Sequence, residues 1–379
     1  MRIALVHDWL TGMRGGERVL LQLVRLYPQA DLYTLFHVPG AIAPEIEALR
    51  LHTSPLSRLP GAGRHYRKLL PLYPWAIERF DLHDYDLVLS CSHAVAKSVV
   101  TGPATPHLAY CLTPMRYIWD QTDAYLGRGV RRALAAPLLR QLRRFDLRTS
   151  TPDRVTRFVA TSSAVAERIH RHYGRCADVV HPPVEVERIR PNGKAPEDFY
   201  LLVGGFLPYK AEQLAIDAFG RLGRRLVVAG DGPARSRLES RAPRQVEFTG
   251  WVPDCELADL YARCRALIYP QEEDFGLVAV EAQAAGRPVI AFGRGGARDT
   301  VVPWPDHETD AASARKATGV WFERQSSDSL IAAVERFEKR EHLFDAKHIR
   351  AWAERFEPAR FRGEIERRVG EMAAQADAR

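Results

Sequence analysis

Ala266-Leu267-Ile268-Tyr269-Pro270-Gln271-Glu272-Glu273-Asp274-Phe275-Gly276-Leu277-Val278-Ala279-Val280-Glu281-Ala282-Gln283-Ala284-Ala285-Gly286 is the stretch on which the fold of this chain turns. Its opening is a short apolar run, read as a buried strand that Pro270 stops. Leu277, Val280, Ala284 and Ala285 then recur at helical spacing until Gly286 and Pro288 end the pattern. Strand, loop and helix in that order form the repeating unit of an α/β domain. Gly276 falls at the helix N-terminus, where free amides and the positive dipole end attract anionic or hydroxyl-rich ligands. Glu273 sits in the loop above, and Glu281, eight positions on, one to two turns into the helix. Two carboxylates flanking exposed amides suit a ligand with hydroxyls at both ends and phosphate between them, the outline of a nucleotide sugar. A solvated helix start with one acid favoured by the dipole fits the spacing equally well.

Working outward, the same alternation fills the second half of the chain. Strands are expected at Tyr200–Val203, Leu226–Ala229, Val246–Phe248, Leu267–Tyr269, Val289–Phe292 and Val320–Phe322. Helical patterns separate them at Glu212–Phe219, Ala234–Ser240, Cys255–Arg263, Leu277–Ala285 and Ser329–Phe337. The first half repeats the scheme, with strands at Ile3–His7, Leu32–Phe36, Leu87–Cys91, His107–Cys111 and Phe158–Thr161. Its helices are placed at Gly16–Leu26, Ala133–Arg148 and Ala164–His172. Such alternation predicts mainly parallel sheets. The rigid turn His181-Pro182-Pro183-Val184 is the natural boundary. Two Rossmann-like domains are expected, 1–183 and 184–355, facing each other across a cleft. A helical tail, 356–379, continues the pattern of Ile349–Met372 and is free to pack back on either domain.

Length and composition agree with this division. A chain of 379 residues exceeds one ordinary core. No apolar run approaches the roughly 20 residues that span a bilayer. Met1–Asp8 begins like a strand rather than a signal peptide, so a cytoplasmic protein is expected. The five cysteines are odd in number and scattered, which argues against a disulfide framework or metal site and for buried thiols. The formal net charge of +7 is uneven. Arg128, Arg131, Arg132, Arg140, Arg143, Arg144 and Arg148 interleave with Leu134, Leu138, Leu142 and Phe145. That segment reads either as a face for an anionic membrane or as a solvated face over the protein's own core. No nucleic-acid motif accompanies the charge.

Several loops at predicted strand ends have the chemistry to hold phosphate. Asp8–Val19 contains Gly15-Gly16 at a helix start, although without G-x-G-x-x-G spacing. Lys210 closes Val203–Lys210 and can supply a mobile cation, or be an ordinary solvated lysine. Gly230-Asp231-Gly232 and Thr249-Gly250-Trp251-Val252 are strand-end turns that say little alone. Gly293-Arg294-Gly295-Gly296 reads as a flexible surface turn. Asp84-Tyr85-Asp86 is formally D-x-D but leads straight into a strand and is read as a turn, so no metal site is assigned. The case rests on co-occurrence of glycine turns, a lysine and paired carboxylates in one half.

These residues, together with His7-Asp8-Trp9-Leu10, Ser90–Lys97, Thr113-Pro114-Met115-Arg116-Tyr117 and Pro208-Tyr209-Lys210, resemble the family-4 retaining glycosyltransferases of the GT-B fold. The likeness runs over nearly the whole chain and lies nearest to bacterial mannosyltransferases of O-antigen and exopolysaccharide assembly. It implies roles. Glu281 would hold the donor ribose and Glu273 the transferred hexose. The amides of Phe275, Gly276 and Leu277 would meet hexose and phosphate. Lys210 would stabilise the leaving diphosphate, helped by Gly15 and Gly16, and Gly232 would line the donor site. Val252 would face the base. His93 and Arg116 would lie on the acceptor or hexose side. The resemblance implies no metal and no cofactor beyond the co-substrate, GDP-mannose favoured and UDP- or dTDP-sugars open. The acceptor would be a glycan, on a polyprenyl diphosphate for instance, reached by a protein peripheral to the membrane. Two departures stand out: Gly205 where an arginine is usual, and Leu112 where a histidine is usual. They leave room for a non-catalytic nucleotide-sugar-binding module. An epimerase would need further acids or histidines in the first domain beyond His93.

Overall fold

The computed structural model describes residues 1–123, 127, 129–207, 210–305 and 316–377. The chain divides into two compact units. Met1–Pro183 with Pro358–Arg379 form one, and Val184–Glu357 the other.

Unit 1 is built on seven parallel strands, β1 (Ile3–His7), β2 (Asp31–Thr34), β3 (Arg50–Thr53), β5 (Leu87–Ser92), β7 (His107–Cys111), β8 (Arg157–Ala160) and β9 (Ala177–Val179). Their order across the sheet is β3-β2-β1-β5-β7-β8-β9. A two-stranded pair, β4 (Asp81–Leu82) with β6 (Val100–Thr101), stands apart. Both faces of the main sheet are covered, as a parallel sheet requires. In β1, Ala4 and Val6 enter one apolar cluster while Ile3 and Leu5 enter the other. That is the period-two alternation of a strand buried on both sides. The main helices are α1 (Gly15–Leu26), α2 (Val130–Arg148) and α3 (Ser163–Tyr173). The hydroxyl of Ser162 caps α3 by accepting from the Val165 amide at 3.2 Å.

Unit 2 repeats the design with β10 (Tyr200–Gly204), β11 (Leu226–Gly230), β12 (Val246–Gly250), β13 (Leu267–Tyr269), β14 (Val289–Phe292) and β15 (Gly319–Phe322). All six are parallel, in the order β12-β11-β10-β13-β14-β15. Helices α4 (Glu212–Leu222), α5 (Asp254–Arg263), α6 (Leu277–Ala284), α7 (Ser327–Glu338) and α8 (Ala346–Ala353) cover it. Leu201 of β10 points into one core cluster, Tyr200 and Leu202 into the other. The α/β expectation is met in both halves, and the six strands expected in the second half are all present.

The tail differs from expectation. Ile349–Met372 is not one helical stretch: α8 ends at Ala353, a 3-10 turn follows, and α9 (Pro358–Asp377) begins afresh. Glu357 is extended (φ −64°, ψ 150°) ahead of Pro358, a conformation proline imposes on its predecessor. The break coincides with the return of the chain to unit 1. There Phe361, Ile365, Val369 and Met372 enter the same cluster as Leu20, Leu23 and Val24 of α1.

Helix α2 divides its apolar residues between core and solvent. Its Leu142 and Phe145 are buried in the unit's own core and Leu138 packs against it, while Leu134 stays 78% exposed. Most of its apolar face is therefore internal. Among the described residues no helix is long and apolar enough to cross a membrane. Cys91, Cys111 and Cys264 are buried and in no disulfide, as expected, but Cys176 and Cys255 are exposed.

Candidate functional site

In an open parallel sheet, loops diverge where the strand order reverses, and ligands bind there, outside the carboxyl ends of the strands. In unit 2 the reversal lies between β10 and β13. Gly204-Gly205 leave β10 and Pro270–Glu273 leave β13, so the sequence candidates converge on this point. The Lys210 ammonium forms an ion pair with Glu273 across it. The other Glu273 oxygen accepts from the Tyr269 hydroxyl at 2.9 Å. Gly276 caps α6 with φ +95°, and a Cβ there would lie 2.5 Å from the Tyr269 hydroxyl. Glycine is thus demanded twice, by conformation and by space. Glu281, half-buried, accepts from the Tyr261 hydroxyl of α5 at 2.8 Å. The Phe275 ring is committed to the core, 5.5 Å from the Phe356 ring, so its backbone is what remains for a ligand. Leu277 and Val252 are partly buried against the same core.

The glycine turns prove to be spacers for one another. A Cβ on Gly230 would lie 1.9 Å from the Gly204 carbonyl oxygen, and one on Gly232 2.1 Å from that of Gly205. The Gly293–Gly296 turn is a brace rather than a flexible surface turn. The Gly296 amide donates to the Glu273 carbonyl at 2.8 Å, and a Cβ on Gly295 would lie 2.3 Å from the same oxygen. Both residues are buried. Gly205 is open instead, with nothing within 4 Å of an added Cβ.

The backbone around Lys210 is strained. Phe206 (φ +44°) and Ala211 (φ +55°) hold left-handed conformations without being glycine. Such outliers persist where surrounding structure enforces them. Glu212, the first residue of α4, is buried, and burial pushes its carboxyl above the usual range. Pro208 and Tyr209 of the resemblance, and Arg128 of the basic segment, lie outside the described residues.

Unit 1 reverses between β1 and β5. Gly15 and Gly16 are the first residues of α1, and the Arg14 amide donates to Glu17 at 3.1 Å. A Cβ on Gly16 would lie 2.9 Å from Leu112 and 3.4 Å from His7, which explains the glycine. His7 is sealed, with Nε2 3.6 Å from Glu17. Burial alone would lower its pKa, but Cys91 and Glu17 outweigh that and hold it well above the usual histidine range. Burial would likewise raise Glu17, and the His7 contact lowers it instead. Asp8 accepts four backbone amides, from His93, Ala94, Val95 and Ala96, at 2.7 to 2.9 Å. His93 Nδ1 lies 3.1 Å from the same carboxylate. Arg116 sits in the turn after β7, where its carbonyl accepts from the Gln121 amide. Lys97 is withdrawn into a buried pair with Asp146 at 2.9 Å.

Sequence reasoning missed Asp8 as an organiser, the tyrosines behind Glu273 and Glu281, and Glu212. Asp8 lay within a quoted motif, but its partners are some 85 residues away in the chain. Asp84-Tyr85-Asp86 is a turn ahead of β5, with Tyr85 buried and Asp86 accepting from the Arg2 amide. Among the described residues no group of three or more His, Cys, Asp or Glu side chains is arranged to hold a metal ion.

Comparison with known proteins fits this geometry. Residues 185–355 match the family Glycosyl transferases group 1. A D-inositol 3-phosphate glycosyltransferase of Streptomyces bingchenggensis is 37% identical over 174 residues, 37% of this chain and 38% of the relative. A GDP-mannose-dependent alpha-mannosyltransferase of Mycolicibacterium smegmatis is 38% identical over 144 residues, 36% of this chain and 37% of the relative. The chain thus spans under two fifths of the length of these relatives. Among solved structures, Anabaena HepE in complex with UDP superposes with a TM-score of 0.66 at 16% identity, covering 98% of this chain and 100% of that one. Sucrose-phosphate synthase from Thermosynechococcus elongatus gives 0.68 at 18% identity, covering 99% and 100%. The chain therefore has the GT-B fold, and its residues 185–355 match the glycosyl transferases group 1 family.

Proposed function

We propose that the protein is a retaining hexosyltransferase. It moves a hexose, mannose by preference, from a nucleotide-diphospho-sugar to a glycan or polyprenyl-diphosphate-linked acceptor in surface polysaccharide assembly. The observation that carries this reading is the Lys210–Glu273 pair at the strand-order reversal of unit 2, beside the glycine-capped start of α6. Phosphate suits that helix end because its first amides have no intrahelical partner. Without ligand, Lys210 is held by Glu273. With a diphosphate bound, its ammonium turns to the phosphate oxygens, and Glu273 is freed for hexose hydroxyls. Charge on the leaving diphosphate is then dispersed by a cation and fixed dipoles, the kind of stabilisation that favours a transition state. Glu281 holds the ribose hydroxyls with its orientation set by Tyr261. The leaving phosphate takes the proton of the reacting hydroxyl, so Glu273 positions rather than attacks. Neutralisation by Lys210 and helix amides makes a metal unnecessary, and turnover is expected to survive EDTA.

Support for mannose comes from relatives named GDP-mannose-dependent alpha-mannosyltransferase in two mycobacterial species. Solved neighbours named with UDP or UDP-glucose keep uridine donors in view. Thermal-shift screening against GDP-, UDP- and dTDP-linked sugars decides between them. The expected result is one base giving a clear shift that Glu281→Ala abolishes. A panel with no shift for any base sinks the proposal. Gly205 and Leu112 favour a second reading, a binding module without turnover. Transfer or hydrolysis of the selected donor, lost in Glu273→Ala, excludes that reading.

Peripheral association with an anionic membrane belongs to the same proposal, supported by exposed Leu134 among Arg132, Arg140 and Arg144. Failure to sediment with phosphatidylglycerol vesicles at low salt removes it.

A further inference from the structure

In unit 2, β15 is an edge strand of the sheet. On its outer side the Gly319 carbonyl accepts from the Trp304 amide at 2.8 Å, and the Gly319 amide donates to the Val302 carbonyl at 3.2 Å. Pro303 and Pro305 flank Trp304, and neither has an amide hydrogen with which to extend the pairing. Past Gly319 the edge gives onto a cavity of about 750 Å³. Pro303-Trp304-Pro305, Val320 and Trp321 of β15, and Arg336 of α7 wall it. Arg294 in the turn after β14, Arg298 in the short helix Ala297–Thr300, and Glu323 and Arg324 after β15 also line it, all four exposed. Lys210, Glu273, Gly276 and Glu281 are not among its walls, so this is a different place from the strand-order reversal. The turn 293–296 is common to both: Arg294 lines the cavity, while the Gly296 amide holds the Glu273 carbonyl.

We propose that this cavity is a binding site for an acidic saccharide, a sugar ring that bears a carboxylate or a phosphate. Its charge selects an anion: among the described residues lining it, four guanidiniums stand against one carboxylate, Glu323. A guanidinium presents a planar fork that matches two oxygens of a carboxylate or phosphate at once, where an ammonium offers a point charge. Arg336 is held in place at the wall, its Nη2 donating to the Trp321 carbonyl at 2.6 Å. The two indoles select a ring. Both are half-buried and backed by the unit's own structure. Trp304 lies 5.2 Å from the Phe344 ring, and Trp321 lies against the turn at Gly293, where an added Cβ would be 3.3 Å from the indole. A sugar ring offers an aromatic face its C–H groups, which carry slight positive charge, and keeps its hydroxyls for water. A bare anion would leave the indoles without a partner, and an apolar ligand would leave the arginines without one. A ring with an acidic group serves both. The volume lies within the roughly 300–1,000 Å³ of small-ligand sites. No bond is made or broken here, and the site needs no nucleotide, so the inference does not depend on the transferase reading.

The test is calorimetric titration of the full chain at low salt with four probes: D-glucuronate, D-mannose 6-phosphate, methyl α-D-mannopyranoside and inorganic phosphate. At least one of the two acidic sugars is expected to bind about tenfold or more tightly than both the neutral glycoside and inorganic phosphate. Which of the two it is tells carboxylate from phosphate. Joint replacement Arg298→Ala and Arg324→Ala is expected to weaken that sugar at least about tenfold, since charge-assisted hydrogen bonds are lost. Both arginines are exposed, so the thermal midpoint of this variant should stay at the wild-type value. Lys210→Ala and Glu281→Ala should leave the affinity unchanged, because their site lies elsewhere. The proposal is overturned if neither acidic sugar outbinds both controls, which includes the case where inorganic phosphate does as well and charge alone is read. It is equally overturned if binding survives in the folded double-arginine variant, or is lost in Lys210→Ala, which would put the sugar at the strand-order reversal.

Discussion

Gly205 has no left-handed conformation to maintain and nothing within 4 Å of an added Cβ. An arginine there has room, and it would stand beside the strand end from which Lys210 is reached. Gly205→Arg is therefore expected to fold normally and to tighten nucleoside diphosphate binding about tenfold, the lower range for a charge-assisted hydrogen bond. Calorimetric titration with GDP and UDP checks it, and an unchanged or weaker Kd would show that the diphosphate lies elsewhere. Tyr269 is a residue of the opposite kind. Its hydroxyl is buried, holds Glu273 and roofs Gly276. Tyr269→Phe should cost about 1 kcal/mol of unfolding free energy and weaken donor binding several-fold. Identical donor affinity would mean that Glu273 needs no support. His107 reports on unit 1 through pH. It is buried and neutral, its Nδ1 2.7 Å from the Arg154 carbonyl and its Nε2 2.8 Å from the Ser90 hydroxyl, and burial lowers its pKa to about 4. Because the unfolded histidine titrates near about 6.5, its contribution is complete above that pH and lost as pH falls toward 4. The loss is on the order of 3 kcal/mol. Urea midpoints should fall across that window and flatten in His107→Gln. The carboxylates and glycines of the candidate site were legible in the sequence because each lies in the turn or first helix that follows a strand. Tyr261, Asp8 and Glu17 were not, since what each one holds is fixed by which strand lies beside which.

At the scale of elements, strands buried on both faces announce themselves as short apolar runs, and so the central strands were readable. The edge strands of unit 1 were not: β3 is Arg50-Leu51-His52-Thr53 and β9 is Ala177-Asp178-Val179, short and partly polar, whereas the more apolar edges β12 and β15 of unit 2 were. The glycine turn at 293–296 was misread for a related reason. Glycine signals either freedom or close approach, and only the fold shows which. Here Gly295 (φ +59°) lies against the Glu273 carbonyl and Gly293 against the Trp321 side chain, with its Cβ position 3.3 Å away. Gly295→Ala should displace the Glu273 loop and raise the donor KM at least about tenfold, strain of 1–3 kcal/mol being enough. Gly293→Ala, which meets only a side chain, should stay close to wild type. Equal behaviour of the two variants in donor titrations would refute the brace.

At the scale of the whole molecule, the chain leaves unit 1 after Pro183, builds unit 2 and returns at Pro358. The helical pattern of 349–372 was visible in the sequence, but the break at Glu357-Pro358 was not weighed, because proline also suits the first turn of a helix. The return has an energetic consequence. Helix α9 places Phe361, Ile365, Val369 and Met372 in the unit 1 core, with the Phe361 ring 5.4 Å from Tyr110. Arg362 bonds Gln22 of α1 at 2.6 Å, and Arg157 of β8 reaches Glu371 at 2.6 Å. Four side chains at roughly 1.5–3 kcal/mol each bury about 6–12 kcal/mol, an upper bound. A domain of this size is stable by only about 5–15 kcal/mol in all. Ending the chain after Glu357 should therefore unfold unit 1 or leave it a loose, dye-binding state. Unit 2 keeps its whole core and should retain nucleotide binding where the full chain has it. Hydrogen exchange resolves the two units separately. Fast exchange is expected in β1, β5 and β7 of the truncated chain, with protection kept in β10, β11 and β13. Native protection throughout β1, β5 and β7 after truncation would show that the last helix is an ornament of unit 1 and not part of its core.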